Sequence, residues 1–160
     1  MGKRKPKQEP LFFSAQEIPK AASHPFYSKV NEILERNKVD KRLEHLCKRF
    51  YKPAMGRPSM APGVYFRMLL LGYFEGIDSE RGIAWRVGDS FSLREFLGFS
   101  PIESTPDHST ISRTRRLMPV ETHKAVFRWF VKVLGEEGLI DGQTIAIDAT
   151  MLEANAAMRS

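Results

Sequence analysis

The sequence predicts a mainly α-helical protein, a bundle of helices followed by one β-strand near the C-terminus. Between residues 23 and 137, apolar residues recur at helical spacing in segments that glycine and proline separate. After the turn-forming pair Asp141 and Gly142, the run QTIAIDAT alternates instead, with Ile145 and Ile147 on one face. A chain of 160 residues has room for one domain, or for one domain and the start of another.

The first two helices form a predicted hairpin. Ser23 is the predicted cap of a helical pattern that begins around Pro25 and runs to about Asn37, and Asp40 is in position to cap a second helix. The second helix contains Cys47, the one cysteine of the chain, which we interpret as a small buried hydrophobic residue. A single cysteine has no partner for an internal disulfide, which fits a reducing compartment.

A broken segment then leads to the most apolar part of the chain. YKPAMGRPSMAPG contains three prolines and two glycines, which predicts a linker or a surface loop with Arg57 exposed. The following run, Val64 to Phe74, is interrupted only by Arg67 and Gly72. It is shorter than the about 20 residues of a membrane span, so we interpret it as a buried core helix and expect no membrane association.

Local signals place further helices after the core helix, the last of them long and apolar on one side. The predicted helix stops are Gly76, Gly88 and Gly98. The predicted caps are Asp78 or Ser79, Ser92 with Glu95 as a capping box, and Asp107, while Pro119 is predicted to open the last helix.

Positive charge is concentrated at the front of the chain. Residues 1–60 contain 14 Lys/Arg and 6 Asp/Glu, against 11 and 13 in residues 61–160, so the excess of positive charge behind the net +6 lies entirely in the first part. Residues 1–20 are a predicted flexible basic tail in which Lys3, Arg4, Lys5 and Lys7 either contact phosphates or aid solubility. The balance favours nucleic acid as partner. Because no run of signal-peptide character follows the tail, we expect a cytoplasmic protein.

The segment DHSTISRTRRLM predicts a helix with one apolar and one polar face. Ile111, Thr114 and Met118 share the side expected to be buried. The polar side carries Ser109, Ser112, Arg113 and Arg116. Arginine reads guanine edges or phosphates and serine reaches phosphates, so this division suits the recognition helix of a helix-turn-helix unit. An ordinary amphipathic surface helix is an equally open interpretation.

The supporting helix of such a unit would be SERGIAWRVG, although the segment between the two helices is far longer than the usual turn of three or four residues. A second candidate site is Asp148, at the end of the predicted strand. Strand-borne carboxylates hold divalent ions in nucleases, but on spacing alone a turn-forming role is more common. The four histidines lack the spacing of zinc ligands, and we interpret them as surface or capping residues.

The order of these parts resembles the N-terminal portion of bacterial insertion-sequence transposases of the DDE type, over roughly residues 20–158. The most specific strings are TPDHSTISRTRRL, Thr105 to Leu117, and IDATMLEANA, Ile147 to Ala156. The resemblance implies a helical DNA-binding domain over 21–137 and, over 138–160, the start of a ribonuclease-H-like α/β catalytic domain. By its match, Asp148 would be the first of three catalytic, metal-binding carboxylates.

The resemblance further implies double-stranded DNA as partner, at the terminal inverted repeats of the element, and Mg²⁺ as cofactor of the full-length relative. The second Asp and the Glu of that family lie on later strands, so we expect this chain to be truncated, frameshifted or a fragment, inactive alone and without tightly bound metal. Whether it counts as an enzyme, whether it forms a homo-oligomer on DNA and which DNA sequence it recognises stay open. The alternatives are a stand-alone DNA-binding regulator or decoy, and a helical protein-interaction module.

Overall fold

The computed structural model describes residues 23–51 and 59–140, and the regular structure within these ranges is helical, which confirms the mainly α class. Seven α-helices and one 3-10 helix lie in the described ranges. They are α1 (Pro25–Arg36), α2 (Val39–Cys47), the 3-10 helix (Lys48–Phe50), α3 (Pro62–Phe74), α4 (Glu80–Gly88), α5 (Phe91–Phe96), α6 (His108–Leu117) and α7 (Val120–Glu136). The predicted C-terminal strand, the basic tail and most of the linker lie outside the described residues.

Helix α3 is the central helix of the bundle, as the apolar run predicts. It contacts α2 and α4, and α1 in turn packs on α2, α5 and α7. Buried residues lie on all sides of α3. Those with 0% exposure are Tyr65, Phe66, Met68, Leu70 and Leu71. Pro62 occupies the first turn, where a missing backbone N–H costs no hydrogen bond.

Arg67 is the charged residue inside this helix, and its guanidinium is paired with Asp40 and Asn31. The side chain is buried, and it forms a two-pronged ion pair with the carboxylate of Asp40, with Nη2 3.0 Å from Oδ2. Its Nε donates to Oδ1 of Asn31 at 3.2 Å. An unpaired buried charge is costly, so Arg67 needs these partners. Because Asn31 lies on α1 and Asp40 on α2, the contacts hold α1, α2 and α3 together.

The same pair corrects the role predicted for Asp40. Helix α2 begins two residues earlier than a cap at Asp40 predicts, at Val39, and its N-cap is Lys38, which has a left-handed φ of 53° and makes no side-chain cap hydrogen bond. Asp40 therefore lies in the first turn, where a carboxylate also interacts favourably with the helix dipole. The pattern identified a helix start within two residues but not the partner of the carboxylate.

Two further predicted caps are displaced. Helix α1 begins at Pro25 after His24, and the hydroxyl of Ser23 donates instead to the Glu95 carboxylate at 2.8 and 2.9 Å. Helix α5 begins at Phe91 because Ser90, not Ser92, accepts the cap hydrogen bond from the N–H of Leu93. Glu95 thus links α5 to the start of α1 rather than closing a capping box.

The stop signals agree with the structure. Gly76 and Gly98 follow the ends of α3 and α5 with φ of 64° and 79°, a conformation that costs other residues energy. Helix α7 begins directly after Pro119 and buries the predicted face on the core, with Val126, Phe127, Phe130, Val133 and Leu134. Cys47 is buried, as predicted.

Candidate nucleic-acid interface

Helix α6 presents the polar face predicted for it. Ile111, Thr114 and Met118 are buried against the rest of the bundle. On the other side, Ser109, Arg113 and Arg116 are exposed and Ser112 is half-buried. The helix therefore packs through one side and leaves serine and arginine side chains accessible on the other.

The start of α6 is fixed by Asp107, as the sequence predicts. Its Oδ1 accepts the N–H of Thr110 at 2.7 Å and the hydroxyl of Ser109 at 2.9 Å. These hydrogen bonds, first of all the backbone one, lower the pKa of Asp107 from 3.8 to about 2. Ser109 therefore takes part in the cap, and its hydroxyl oxygen still has acceptor capacity toward solvent.

The two exposed arginines differ in how they are held. The Arg113 side chain lies back along its own helix, with Nε 3.2 Å from the Ser109 carbonyl oxygen and Nη2 3.0 Å from Oγ1 of Thr110. Arg116, one turn from Ser112, makes no hydrogen bond or ion pair with the described part of the chain. Arg113 is thus oriented, whereas none of the five donors of Arg116 is taken up by the part of the chain that the structure describes.

Helix α4 lies antiparallel beside α6. At one end, Nε of Arg115 is 3.1 Å from Oε1 of Glu80, which joins the last turn of α6 to the first residue of α4. At the other end, a Cβ placed on Gly88 would lie 3.9 Å from Oγ1 of Thr105, just before α6. The two helices form the pair that the sequence interpretation assigned as supporting and recognition helices.

The connection between α4 and α6 is longer than a simple turn and is held in place by one arginine. In the sequence, residues 89–107, which include helix α5, connect α4 to α6. The guanidinium of Arg94 donates to the carbonyl oxygens of Gly88 at 3.2 Å, Pro101 at 2.9 Å and Glu103 at 3.0 Å. This arginine clamp could not be predicted from the residue pattern, because backbone carbonyl acceptors have no residue signature. The helix-turn-helix-like element stays a prediction.

A polar chain behind α6 was also missed by sequence reasoning. The hydroxyl of Tyr65 is 2.8 Å from Nε2 of His123, and Nδ1 of the same ring is 3.0 Å from the Pro119 carbonyl oxygen. The carbonyl accepts only from an N–H, so Nδ1 carries the proton and Nε2 accepts from Tyr65. Burial lowers the pKa of His123; the hydrogen bond to Pro119 opposes this effect, and the positive charge of Arg115 adds to it. His123 is therefore a structural residue, not the surface or capping residue that we expected.

The remaining predicted site residues lie outside the described residues. They are Lys3, Arg4, Lys5, Lys7, Arg57 and Asp148. Within 23–51 and 59–140, no group of three or more His, Cys, Asp or Glu side chains is arranged to hold a metal ion. None of the helices in those ranges has the length and apolar character needed to cross a membrane.

Comparison with known families bears on the same helices. A family model described as Transposase domain (DUF772) matches residues 14–117. The matched range contains α1 to α6 and ends at the last residue of α6, so the α4 and α6 pair lies wholly inside it. No curated protein and no solved structure matches the chain.

Proposed function

This chain belongs to the transposase domain family, and we propose that it is the DNA-binding part of a DDE-type bacterial insertion-sequence transposase. Membership in the family implies a role in transposition and an interaction with DNA in general. The finer proposal is that helix α6 binds the terminal inverted repeats of the element, with Arg113 and Arg116 as the side chains that read or grip the duplex.

The observation that carries this proposal is the exposed arginine and serine face of α6. Ile111 and Thr114 on one side of the helix are buried in the bundle, while the polar side faces solvent. An α-helix fits the major groove of B-form DNA, and an arginine fork pairs with the O6 and N7 atoms of guanine. Arg116 has donors free for such a pair, and Arg113 is held in one orientation by its own helix.

The proposal extends to the catalytic residue implied by the family resemblance. Asp148 would be the first of three carboxylates that hold Mg²⁺ in the ribonuclease-H-like domain. Such ions, when bound, activate the attacking group and stabilise the leaving oxygen of a phosphodiester. Lys3, Arg4, Lys5, Lys7 and Arg57 would add phosphate contacts from the basic front of the chain.

The experiment uses the full chain and a duplex that the wild-type protein enriches from a random-sequence pool. Fluorescence anisotropy at several salt concentrations should give a linear fall of log affinity with log salt, at a slope of about −0.9 for each phosphate neutralised. Arg113→Ala and Arg116→Ala should weaken binding, whereas Lys41→Ala should have little effect. Lys41 is a matched exposed cation on α2, which packs on α1 and α3.

Two outcomes would contradict the proposal. If the chain enriches no duplex and shows no salt-sensitive binding, a helical protein-interaction module becomes the better description. If Lys41→Ala weakens binding as much as Arg113→Ala and Arg116→Ala do, the positive charge of the whole surface, and not helix α6, is responsible for the affinity.

A further inference from the structure

Helix α4 has an exposed side of its own that the proposed α6 contact does not use. Trp85 is 69% exposed, the highest exposure of any aromatic side chain in the described part of the chain. Arg81, one turn earlier, is exposed and makes no hydrogen bond or ion pair with the described residues. The exposed indole and the neighbouring guanidinium together offer a ligand an apolar ring and a cation on one side of α4.

This side of α4 and the polar side of α6 face the same solvent. On α4, Arg81 and Trp85 lie opposite Ile83 and Val87, which are buried in the core. Helix α6 turns its own buried residues to the same core, and the two helices lie side by side. The exposed sides of α4 and α6 therefore form one continuous surface.

The helix register places Arg81 next to the arginines of α6. The ion pair between Glu80 and Arg115 sets the start of α4 at the level of the last turn of α6. Arg81 and Arg116 directly follow these two residues, so both cations lie at this end of the surface. Asp89 and Asp107 lie at the opposite end of the pair, and Asp107 is occupied as the cap of α6. At the Arg81 end, Glu80 is paired with Arg115, and Asp78 precedes the helix.

We propose that this two-helix surface is a single DNA interface in which α4 contacts the sugar-phosphate backbone while α6 enters the groove. Arg81 pairs with a phosphate, and the indole of Trp85 packs on the neighbouring deoxyribose of the same strand. Phosphate contacts fix the position and orientation of a protein on the duplex without reading sequence. This inference rests on the proposed function and adds a second, sequence-independent contact to it.

Charge favours DNA over a second copy of the chain as the occupant. A two-fold contact through this surface would bring the same patch of both copies together, so the positive charges of Arg81, Arg113 and Arg116 would face one another across the interface. Like charges that face each other across an interface are destabilising. A polyanion instead neutralises all three and covers the exposed indole.

The test exploits the fact that the chain has two tryptophans. In Trp129→Phe, Trp85 is the one remaining tryptophan, and its fluorescence should change on titration with the enriched duplex. In Trp85→Phe, the signal comes from Trp129, which is half-buried beside Arg42, and it should change little. Circular dichroism of both variants verifies that the helices are intact.

A second measurement separates the role of Arg81 from that of α6. Arg81→Ala should reduce the salt slope by about 0.9 and weaken binding equally on the enriched and on a scrambled duplex. Lys41→Ala is the matched control and should leave the slope unchanged.

The outcomes distinguish this inference from the proposed function. If Arg113→Ala and Arg116→Ala weaken binding while Arg81→Ala and the Trp85 signal do not respond, α4 is not a DNA contact and the proposed function stands. If the Trp85 signal changes with protein concentration in the absence of DNA, the surface binds a second copy and the inference is wrong. If no variant binds any duplex, the proposed function itself fails.

Discussion

The guanidinium of Arg115 pairs with the carboxylate of Glu80 across the contact between α6 and α4, with Nε 3.1 Å from Oε1. In the sequence RTRR, residues 113–116, three arginines look alike, yet the structure gives this one a different role. Arg113 and Arg116 face solvent, while Arg115 turns toward α4 and lies near Tyr65 and His123. Arg115 is therefore a positioning residue for the surface that its neighbours present.

Removing Arg115 should affect stability in a way that removing its neighbours does not. The side chain of Glu80 is only 18% exposed, so Arg115→Ala leaves a largely buried carboxylate without its cation. Because Arg115 itself is 39% exposed, we expect a loss of about 1 kcal/mol in the free energy of unfolding. Arg113→Ala and Arg116→Ala should stay within about 0.5 kcal/mol of wild type in urea denaturation. Equal losses for all three arginines would contradict this division of roles.

The cap of α6 is expected to respond to acid. The pKa of Asp107 is lowered to about 2. The ionised side chain therefore contributes its full stabilisation above pH 3.8, and this contribution is lost as the pH falls from 3.8 toward 2. Asp107→Asn keeps an acceptor for the N–H of Thr110 and should preserve the helix, whereas Asp107→Ala should fray its first turn. Amide hydrogen exchange at Thr110 measures this fraying. Equal exchange rates in the Ala variant and wild type would show that the cap has no such role.

His123 should make stability fall in mildly acidic solution. Its pKa is lowered from 6.5 by burial, so the unfolded chain binds the proton more readily than the folded one. The contribution of neutral His123 to the free energy of unfolding is therefore complete above pH 6.5 and decreases as the pH falls through and below this value. His123→Gln should flatten the dependence of the unfolding free energy on pH in this range. His108→Gln, at an exposed histidine, should leave the wild-type slope, and a flattened slope there would contradict the assignment.

A side chain at Gly63 should displace the Asp40 carboxylate. A Cβ at this position would clash with Oδ1 of Asp40, the acceptor that holds the guanidinium of Arg67. Gly63→Ala should therefore lower the free energy of unfolding by about 1–3 kcal/mol, the usual cost of overpacking. Gly138→Ala is the control for backbone strain alone, because its φ of 69° is left-handed but its surroundings are open. A smaller cost at Gly63 than at Gly138 would show that the carboxylate moves aside freely.

Most of the helical architecture could be predicted because it depends on local patterns. The apolar run after residue 63, the glycine stops and the Asp107 cap are all properties of a few neighbouring residues. Ser23, Asp40 and Ser92 were wrongly assigned as caps because each has a suitable side chain for that role near a helix start. Ser23 and Asp40 have partners 72 and 27 residues away instead. Distant partners of this kind have no signal in one sequence.

The candidate surface could be predicted in part for the same reason. The division of α6 into an apolar and a polar face follows from helical periodicity alone. The contribution of α4 could not be predicted, because the exposure of Trp85 depends on how α4 and α6 pack, which the long connection between them conceals. The hydrogen bonds of Arg94 could not be predicted either, because their acceptors are backbone carbonyl oxygens, which every residue has.

The most direct test of the account compares the affinities of wild type and Arg116→Ala for the enriched and the scrambled duplex, at one fixed salt concentration. If Arg116 makes a two-pronged contact with a base, its loss should cost about 1–3 kcal/mol on the enriched duplex and much less on the scrambled one. The ratio of the two dissociation constants should therefore approach one. An unchanged ratio, with equal losses on both duplexes, would contradict the assignment of α6 as the helix that reads DNA sequence.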